Sequence, residues 1–526
     1  MTGETPAVSR VSIPATVFAT IDRLGDAEAA VSRNQRVTFS QLGERIQAMA
    51  ASLIASGVSH GDRVAVWAPN SVDWVVVAVG LQSVGATLVP INTRYKATEA
   101  APILARTKAT TLFTVTGFLD IDPVQMLAVS DADLADLIDI VIIDGGTPDG
   151  TVSLSDFLSR GDDIDKAAVE ARRAAVGPED LCDIMFTSGT TGIAKGVMMN
   201  HGQTLEQFDA WCDFAGLREG DRYLIANPFF HMFGYKAGWL ACLLRGATMF
   251  PMPVFDVEDA LQVIEQERIT MFPGAPTLYQ MILDHGATAS ADLSSLRVAV
   301  TGAADIPVEL IRRMHTELPF ETIMTGYGLT EACTCSGTRP GDDFETIATT
   351  SGSPAAGVEI RIVGPDGSAL PRGEVGEIVV RGNNVMQGYL DDPVATAETV
   401  DADGWLHTGD LGTMDDRDYL KIVGRLKDML IVGGFNAYPA EIENIMLSHP
   451  AIAAVAVIGV ADTRLGEVAR AFVVPVSDSD TDEAEIIAWC RVHMANFKVP
   501  RSIRFLDRLP LNATGKVMKE ELRRQP

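Results

Sequence analysis

The sequence contains no run of about 18 apolar residues, the length that a helix needs to span a bilayer. Its N-terminus also lacks the basic and then apolar pattern of a secretion signal. We therefore expect a protein that has no transmembrane segment and that resides in the cytoplasm.

Basic residues are scarce in this chain. It has 42 Lys and Arg against 70 Asp and Glu, which gives a formal net charge of −28. Such an acidic surface argues against binding to a nucleic-acid backbone, so we expect no nucleic-acid partner. A polyanionic ligand would need a local cluster of cations and backbone N–H groups.

Cysteine is rare and scattered, and several catalytic motifs are missing. Of the six cysteines, only Cys333 and Cys335 are closely spaced, so we expect reduced thiols with no disulfide or metal-binding role. The chain has no G-x-S-x-G nucleophile elbow and no H-E-x-x-H motif. The sequence thus gives no positive sign of hydrolase or metalloprotease chemistry.

The pattern that is present predicts an α/β protein. After a polar lead and one helix in residues 1–35, apolar segments of strand length alternate with amphipathic helical segments, which predicts parallel-type sheets flanked by helices. Thr38-Phe-Ser-Gln41 has the form of a helix capping box. From about residue 352, short strands and glycines predict a β region. We expect a large N-terminal domain, 1–424, and a small α+β C-terminal domain, 425–526.

The most informative stretch is Thr187-Ser-Gly-Thr-Thr-Gly-Ile-Ala-Lys-Gly196, which follows an apolar strand. Its glycines allow tight turns, its hydroxyls can donate hydrogen bonds, and its lysine adds a cation, as expected of a phosphate-binding loop. It is not the Walker pattern, because the second glycine comes two residues early. The alternative is a flexible surface loop.

Three further segments follow predicted strands, and we expect them to converge on one crevice. They are Pro228–His231, Thr301–Ala304 and Thr325-Gly-Tyr-Gly-Leu-Thr-Glu331. In the third, Thr330 is a candidate phosphate donor and Glu331 a candidate ligand for Mg²⁺, which prefers carboxylate and phosphate oxygens. Alone, this third segment could equally be a tight structural turn.

Two later motifs carry polar groups on glycine turns. His407-Thr-Gly-Asp410 offers a carboxylate suited to a ribose diol, with Arg425 as a second contact, although an Asx turn is the alternative. Asn512-Ala-Thr-Gly-Lys516 holds a lysine near the C-terminus, where most lysines are simply solvated. His231, between aromatic residues, would most often be a core or pocket histidine.

Taken together, the order of these motifs resembles the adenylate-forming superfamily, which includes acyl-CoA synthetases, firefly luciferase and peptide-synthetase adenylation domains. The resemblance covers nearly the whole chain and includes Gly433-Gly-Phe-Asn-Ala-Tyr-Pro-Ala-Glu-Ile-Glu443. It implies that a carboxylate attacks the α-phosphate of Mg·ATP, that pyrophosphate leaves, and that a thiol captures the acyl-adenylate.

The resemblance also implies roles for individual residues. Lys516, Thr330 and Glu331 are the candidate catalytic residues, with Glu331 on Mg²⁺. The candidate ATP and AMP contacts are Thr187, Ser188, Gly189, Thr190, Thr191, Lys195, Ala303, Ala304, Gly326, Tyr327, Gly328, Thr330, Asp410, Arg425 and Lys516. The candidate acyl-pocket residues are His231, Phe233, Gly302 and Gly328.

In the family the small domain rotates between the two half-reactions. The resemblance places the hinge near Lys427, where many relatives carry Asp, and puts Gly433 and Gly434 on the CoA path. Thr325 stands where Gln or Asn is common, which weakens the expectation of an adenine contact there. ATP, Mg²⁺, CoA and a carboxylic acid are the implied cofactors and substrates, and relatives are often homodimers.

Within the superfamily, Asn227–Gly238 and Phe497–Arg501 look most like actinobacterial fatty-acid-type CoA ligases. Candidate acids are an indane-dione propanoate derived from steroid rings, a medium- or long-chain fatty acid, and an aryl or alicyclic acid. Two other functions stay open: loading of a carrier protein, and a non-catalytic nucleotide-binding module. The chain contains no fused carrier segment, and its motif residues are intact.

Overall fold

The computed structural model describes residues 11–119, 121–187, 194–302, 306, 308–432, 435–476, 479–512 and 517–525. Its strands, in chain order, are β1 Glu28–Ser32, β2 Gln35–Thr38, β3 Arg63–Trp67, β4 Thr87–Pro90, β5 Thr111–Val115, β6 Asp139–Asp144, β7 Val152–Ser153, β8 Leu181–Thr187, β9 Lys195–Asn200, β10 Arg222–Ile225, β11 Thr248–Pro251, β12 Val298–Gly302, β13 Thr322–Leu329, β14 Cys333–Gly337, β15 Ser353–Pro354, β16 Val358–Val363, β17 Gly376–Gly382, β18 Gly388–Tyr389, β19 Leu406–Met414, β20 Leu420–Arg425, β21 Leu430–Val432, β22 Phe435–Ala437, β23 Ile452–Asp462, β24 Gly466–Pro475 and β25 Ser502–Phe505.

The helices, in chain order, are α1 Ile13–Leu24, α2 Phe39–Ala55, α3 Val72–Ser83, α4 Ala97–Thr107, α5 Pro123–Ala128, α6 Leu154–Ser159, α7 Lys166–Ala174, α8 His201–Phe214, α9 Met232–Gly234, α10 Ala241–Arg245, α11 Val257–Glu267, α12 Pro276–Asp284, α13 Val308–Glu317, α14 Phe344–Thr349, α15 Pro393–Thr399, α16 Pro439–Met446, α17 Glu483–His493 and α18 Lys519–Arg523. A π-helical turn spans Tyr235–Leu240, and short 3₁₀ turns span Gly286–Ser290 and Leu426–Asp428. Among the helices so described, none is long and apolar enough to cross a membrane.

Two large sheets form the body of the molecule. In the first, the order is β2-β1-β11-β10, then Met271, then β12-β13-β14-β15, because Met271 pairs in parallel with both Tyr223 and Val298. The second has the order β18-β9-β8-β4-β3-β5-β6-β7 and is parallel from β8 through β7. The predicted α/β class is confirmed.

Helix α3 lies between these sheets and contacts β1 of the first sheet and β3 and β4 of the second. It is buried on every side, as its almost uninterrupted apolar sequence requires. The predicted capping box also forms at the start of α2, because Thr38 and Gln41 exchange backbone and side-chain hydrogen bonds.

One early expectation was wrong. Residues 28–38 form the β1–β2 hairpin, with Ala30 paired to Val37, whereas only a helix was expected in residues 1–35. The hairpin owes its place to β11, which pairs in parallel with β1. A pairing partner more than 200 residues away leaves no local signal in the sequence.

Two smaller sheets complete the fold. The antiparallel sheet β16-β17-β19-β20 is the predicted β region. The last sheet, β22-β21-β24-β23 with β25 beside β24, contains only residues from Leu430 onward and has its own apolar core with α16 and α17. These features match the small α+β unit predicted at the C-terminal end.

A fully buried ion pair links β8 to the π-helical turn. Lys236 Nζ lies 2.9 Å from Asp183 Oδ2, and the side chains are 1% and 0% exposed. Lys236 Nζ also donates to Thr204 Oγ1 at 3.3 Å, and Cys182 Sγ donates to Asp183 Oδ2. Although burial alone would lower the pKa of Lys236, the Asp183 carboxylate raises it, so the ammonium stays charged.

Substituting Lys236→Met should therefore lower the free energy of unfolding by about 3–5 kcal/mol, because it leaves the Asp183 charge buried and unpaired. The double variant Lys236→Met/Asp183→Leu should recover most of that loss. Urea unfolding at equilibrium measures both. The matched control is Arg268→Met, whose ion pair with Asp292 is about half exposed and should contribute less than about 1 kcal/mol. A double variant no more stable than Lys236→Met would contradict the prediction.

His201, at the start of α8, is buried and accepts a hydrogen bond on Nδ1 from Ile13 N at 3.3 Å. Burial lowers the pKa of His201 to about 3, against an ordinary value of 6.5. Above pH 6.5 neither state binds the proton, so the native state carries no penalty. Below it, only the unfolded chain takes up the proton, and stability falls until the pH reaches the folded-state pKa.

The expected loss is about 1.4 kcal/mol per pH unit below 6.5. His201→Asn keeps an acceptor near the Ile13 N–H but cannot titrate. From pH 7 to pH 5, the free energy of unfolding of the parent should therefore fall by about 2 kcal/mol more than that of the variant, as measured by urea unfolding. A difference that stays constant would show that His201 binds a proton equally well in both states.

Candidate active site

The predicted phosphate loop connects two antiparallel strands of the second sheet. Thr187 ends β8, Lys195 begins β9, and the two residues pair across the hairpin. Ser188, Gly189, Thr190 and Thr191 lie outside the described residues. Thr187 and Lys195 thus lie at the carboxyl end of β8, the edge of the sheet where a ligand of an α/β fold is expected.

A tyrosine connects the loop lysine to Glu331. The Lys195 ammonium lies 4.7 Å from the centre of the Tyr389 ring, within cation–π range. The Tyr389 hydroxyl donates to Glu331 Oε1 at 3.0 Å. Burial, together with the Glu331 charge, raises the pKa of Tyr389, so the phenol stays protonated and acts as the donor. Sequence reasoning assigned no role to Tyr389.

Glycines allow β13 to lie very close to its neighbours β12 and β14. Gly302 and Gly326 pair across the parallel strands β12 and β13, and a β-carbon on Gly302 would lie 2.7 Å from Gly326 O. A β-carbon on Gly328 would lie 2.2 Å from Cys333 O. Both positions require glycine for this close approach. Ala303 and Ala304 lie outside the described residues.

The three segments expected to share a crevice lie at the carboxyl ends of parallel strands in the first sheet, although Thr301 and Gly302 are the last residues of β12 and not residues beyond it. Asn227, just past β10, donates through Nδ2 to Pro273 O at 3.0 Å, and Pro273 lies in a chain segment that runs beside β12. The segment after β10 therefore lies at the same edge of the sheet as Gly302 and Gly326.

The Thr325–Glu331 segment was expected just past the end of its strand, and this was wrong. Strand β13 continues to Leu329 because β14 pairs antiparallel with its last residues. Only Thr330 and Glu331 lie beyond the strand. The bulge between Tyr327 and Gly328 and the positive φ of Cys333, 47°, turn the chain back.

Asp410 is held by two partners at the predicted ribose site. The Tyr327 hydroxyl donates to Asp410 Oδ2 at 2.6 Å, and Arg425 Nε lies 3.1 Å from Asp410 Oδ1. Burial and the Asp410 charge raise the pKa of Tyr327 well above its ordinary value, so this phenol also remains a donor. The carboxylate is buried, while Arg425 is half exposed.

The turn predicted at Gly409 is a bulge inside strand β19. Gly409 has φ +69°, a left-handed conformation that favours glycine, and residues 408–410 lie opposite a single residue, Ile378, of β17. Thr408 Oγ1 donates to Ile378 O at 2.7 Å and accepts from Asp410 N at 3.0 Å. The bulge thereby fixes the direction of the Asp410 carboxylate.

Strand β13 is where the three sheets of the large domain meet. Through Tyr327 it contacts Asp410 of the third sheet. Just beyond it, Glu331 contacts Tyr389 of β18 in the second sheet. The arrangement brings two carboxylates, Asp410 and Glu331, and the Lys195 ammonium around one strand end.

Glu331 fits the role of a magnesium ligand by its chemistry. Mg²⁺ is commonly held by one or two carboxylates together with substrate phosphate oxygens. Tyr389 orients one oxygen of Glu331, and the Glu331 backbone carbonyl accepts from Met386 N at 2.8 Å. Hydrogen bonds therefore fix both the carboxylate and the backbone of Glu331.

Two of the predicted acyl-pocket residues, His231 and Phe233, lie between β10 and the π-helical turn, whereas Gly302 and Gly328 lie on β12 and β13. His231 caps α9 and accepts on Nδ1 from Phe233 N at 3.2 Å, and both residues are half buried. Sequence reasoning assigned no role to Lys236, which lies in the π-helical turn. Its position in an apolar run, and that of Asp183 in an apolar strand, were the available signals of a buried pair.

The predicted hinge lies in the 3₁₀ turn Leu426–Asp428, directly after β20. Burial lowers the pKa of Lys427, and the neighbouring Asp428 is held by Arg523 at 2.6 Å. Gly433, Gly434 and Lys516 lie outside the described residues. Leu511 pairs antiparallel with Val517.

Comparison with protein families matches residues 17–390 to the AMP-binding enzyme family and residues 441–516 to the AMP-binding enzyme C-terminal domain. The chain belongs to the AMP-binding enzyme family.

Similar proteins of known activity cover almost all of this AMP-binding enzyme. A (7a-methyl-1,5-dioxo-octahydro-1H-inden-4-yl)propanoyl:CoA ligase of Rhodococcus jostii is 51% identical over 95% of this chain and 96% of its own length. The ligase with the same name in Mycobacterium tuberculosis is 49% identical over 97% of this chain and 98% of its own. These relatives place the enzyme among the acyl-CoA ligases.

A solved structure supports the same assignment of fold. ATP-bound MatB of Rhodopseudomonas palustris superposes with a TM-score of 0.87 at 28% identity, covering 98% of each chain. The large domain with its sheets and flanking helices and the smaller C-terminal unit are thus the fold of AMP-binding enzymes.

Proposed function

We propose that this enzyme joins a carboxylic acid to CoA in two steps, with ATP converted to AMP and pyrophosphate. The observation that carries the proposal is the meeting of Lys195, Glu331 and Asp410 around the end of β13. The three side chains supply what adenylation requires, which is charge neutralisation and alignment and not a protein nucleophile.

Asp410 would bind the ribose hydroxyls. Tyr327 and Arg425 already hold its carboxylate in place, so binding requires little reorganisation. Gly326, Tyr327 and Gly328, with Gly302, Ala303 and Ala304, would bracket the adenine and the acyl group.

Thr187–Thr191, Lys195 and Thr330 would bind the phosphate oxygens that leave as pyrophosphate. Glu331 would hold Mg²⁺, which would neutralise phosphate charge when bound. The carboxylate oxygen of the acid then attacks the α-phosphorus, and the bond from that phosphorus to the bridging oxygen of pyrophosphate breaks.

Lys516 would bridge the acid and the α-phosphate during this first step only. We propose domain boundaries at 1–424 and 425–526, with rotation near Lys427 bringing Gly433 and Gly434 to the site in the second step. There the CoA thiolate attacks the acyl carbonyl carbon, and AMP leaves with the electron pair of the broken bond.

For the acid we propose a bicyclic indane-dione propanoate. This rests on the two relatives of that specificity, each about half identical over nearly the full chain. His231, Phe233, Gly302 and Gly328 would line the acyl pocket. Fatty acids and aryl or alicyclic acids are the alternatives to be compared.

Pyrophosphate release with a panel of acids tests the activity and the substrate together. The panel should contain the indane-dione propanoate, fatty acids of several lengths, and an aromatic acid. We expect the highest kcat/KM with the bicyclic acid and formation of free acyl-CoA. No ATP-dependent turnover with any acid would refute the enzyme assignment, and AMP formation without free acyl-CoA would favour a carrier protein as acceptor.

We further propose a cytoplasmic enzyme that forms a homodimer, as its resemblance to the family implies. Light scattering on the purified chain measures the oligomeric state. A molecular mass near 56.3 kDa would refute the dimer.

A further inference from the structure

Tyr389 touches both charged groups proposed to bind Mg·ATP, and it keeps them apart. Its ring faces the Lys195 ammonium and its hydroxyl donates to Glu331. Within the described part of the chain, which includes both residues, Lys195 and Glu331 form no direct ion pair. The tyrosine therefore bridges the two oppositely charged groups by contacting each of them.

The position of the Tyr389 ring is set by its backbone. Strand β18 pairs with β9, so that Tyr389 faces Val197, and the next residue, Leu390, donates to Gly196 O at 2.8 Å. Tyr389 N also donates to Thr396 Oγ1 at 2.9 Å. The ring is buried, and these contacts fix the backbone that carries it.

The same chain segment also positions Glu331. Met386 N donates to Glu331 O, three residues before Tyr389. Residues 386–390 thus bind the Glu331 backbone and orient the Glu331 side chain. They also supply the Tyr389 ring that faces the Lys195 ammonium.

A direct ion pair between Lys195 and Glu331 would neutralise both groups in a partly buried site, where opposite charges attract strongly. Mg·ATP would then have to separate them before binding. A neutral phenol contacts each group without neutralising either one, so both remain ready for ligand atoms of opposite charge.

We propose that Tyr389 is a positioning residue that separates Lys195 from Glu331 and orients them, one for phosphate and one for Mg²⁺. This rests on the proposed function, because it assumes the ATP site described above.

The test is direct binding of ATP, with and without Mg²⁺, measured by titration calorimetry on the full chain. Tyr389→Phe keeps the ring under Lys195 and removes the hydrogen bond to Glu331. We expect the Kd for Mg·ATP to rise by about tenfold, the effect of losing one hydrogen bond to a charged group, with little change for metal-free ATP.

Tyr389→Leu removes both contacts and allows Lys195 to pair with Glu331. We expect metal-free ATP to bind several-fold more weakly than to the parent, on the order of the loss of one cation–π contact and the new competition for Lys195. Adding Glu331→Gln to Tyr389→Leu should recover the part of this loss that comes from competition, because no carboxylate remains to capture the lysine.

Tyr419→Phe is the matched control. The Tyr419 hydroxyl donates to the Asp342 carboxylate with an O–O distance of 2.9 Å, and neither residue belongs to the proposed ATP site. It should bind Mg·ATP as the parent does. Melting temperatures establish that each variant is folded, and Tyr389→Phe decides alone if Tyr389→Leu does not fold.

Parent-like binding by both Tyr389 variants would overturn the positioning role. If Lys195→Ala and Glu331→Gln still weaken Mg·ATP binding in that case, the proposed function stands. If these two substitutions also leave binding unchanged, the ATP site itself is wrong. A Tyr389→Leu/Glu331→Gln variant that binds metal-free ATP no better than Tyr389→Leu would refute the separation of charges.

Discussion

Replacing Lys516 with alanine is expected to slow adenylation by about 10²–10³-fold, the effect of removing one preorganised donor from a developing negative charge. The reason is its proposed position between the acid and the α-phosphate in the first step. Single-turnover release of pyrophosphate, with acid and ATP supplied, measures this half-reaction directly.

The second half-reaction supplies the internal control. Thioester formation from supplied acyl-adenylate and CoA should change little in Lys516→Ala, because the lysine would have moved away with the small domain. Gly434→Trp should show the reverse, with adenylation kept and CoA transfer lost. Arg524→Ala removes a positive charge near the same end of the chain and should affect neither. Equal losses in both half-reactions for Lys516→Ala would contradict its assigned role.

Asp410→Ala is expected to lower kcat/KM for ATP by about 10²–10⁴-fold, since two hydrogen bonds from the ribose to a charged acceptor would be lost. The substitution should impair both half-reactions, because the adenosine group must be held in each. This distinguishes Asp410 from Lys516.

An ATP analogue without the 2′- and 3′-hydroxyls provides the check on this prediction. Replacing ATP by the analogue should lower the kcat/KM of the parent about as much as Asp410→Ala lowers kcat/KM for ATP. In the Asp410→Ala variant, the same replacement should lower kcat/KM little further. Tyr327→Phe, which keeps the carboxylate and removes the donor that orients it, should cause a smaller loss. If the losses in kcat/KM from Asp410→Ala and from the analogue add in full, the ribose does not bind at Asp410.

The sequence was most informative where function depends on local backbone geometry. The Gly-rich loop from Thr187 to Gly196 and the glycines at 302, 326 and 328 stand out because only glycine permits such turns and close approaches. Their order along the chain was enough to indicate the family, and with it the reaction.

Local pattern was misleading where a distant strand decides what a segment becomes. The β1–β2 hairpin exists because β11 lies beside it, and β13 is extended through its motif by β14. In the same way Gly409 forms a bulge, because β17 and β20 hold residues on either side of it in one sheet.

By itself, then, the sequence determined the α/β class and the family. It also identified the candidates for chemistry, among them Lys195, Glu331, Asp410 and Lys516. The tertiary structure alone decided which side chains contact Glu331 and Asp410, namely Tyr389 and Tyr327, and it alone paired Lys236 with Asp183. The partners in the first two pairs are 58 and 83 residues apart. Such contacts depend on how strands of different sheets meet, and no periodicity or spacing within one segment encodes that meeting.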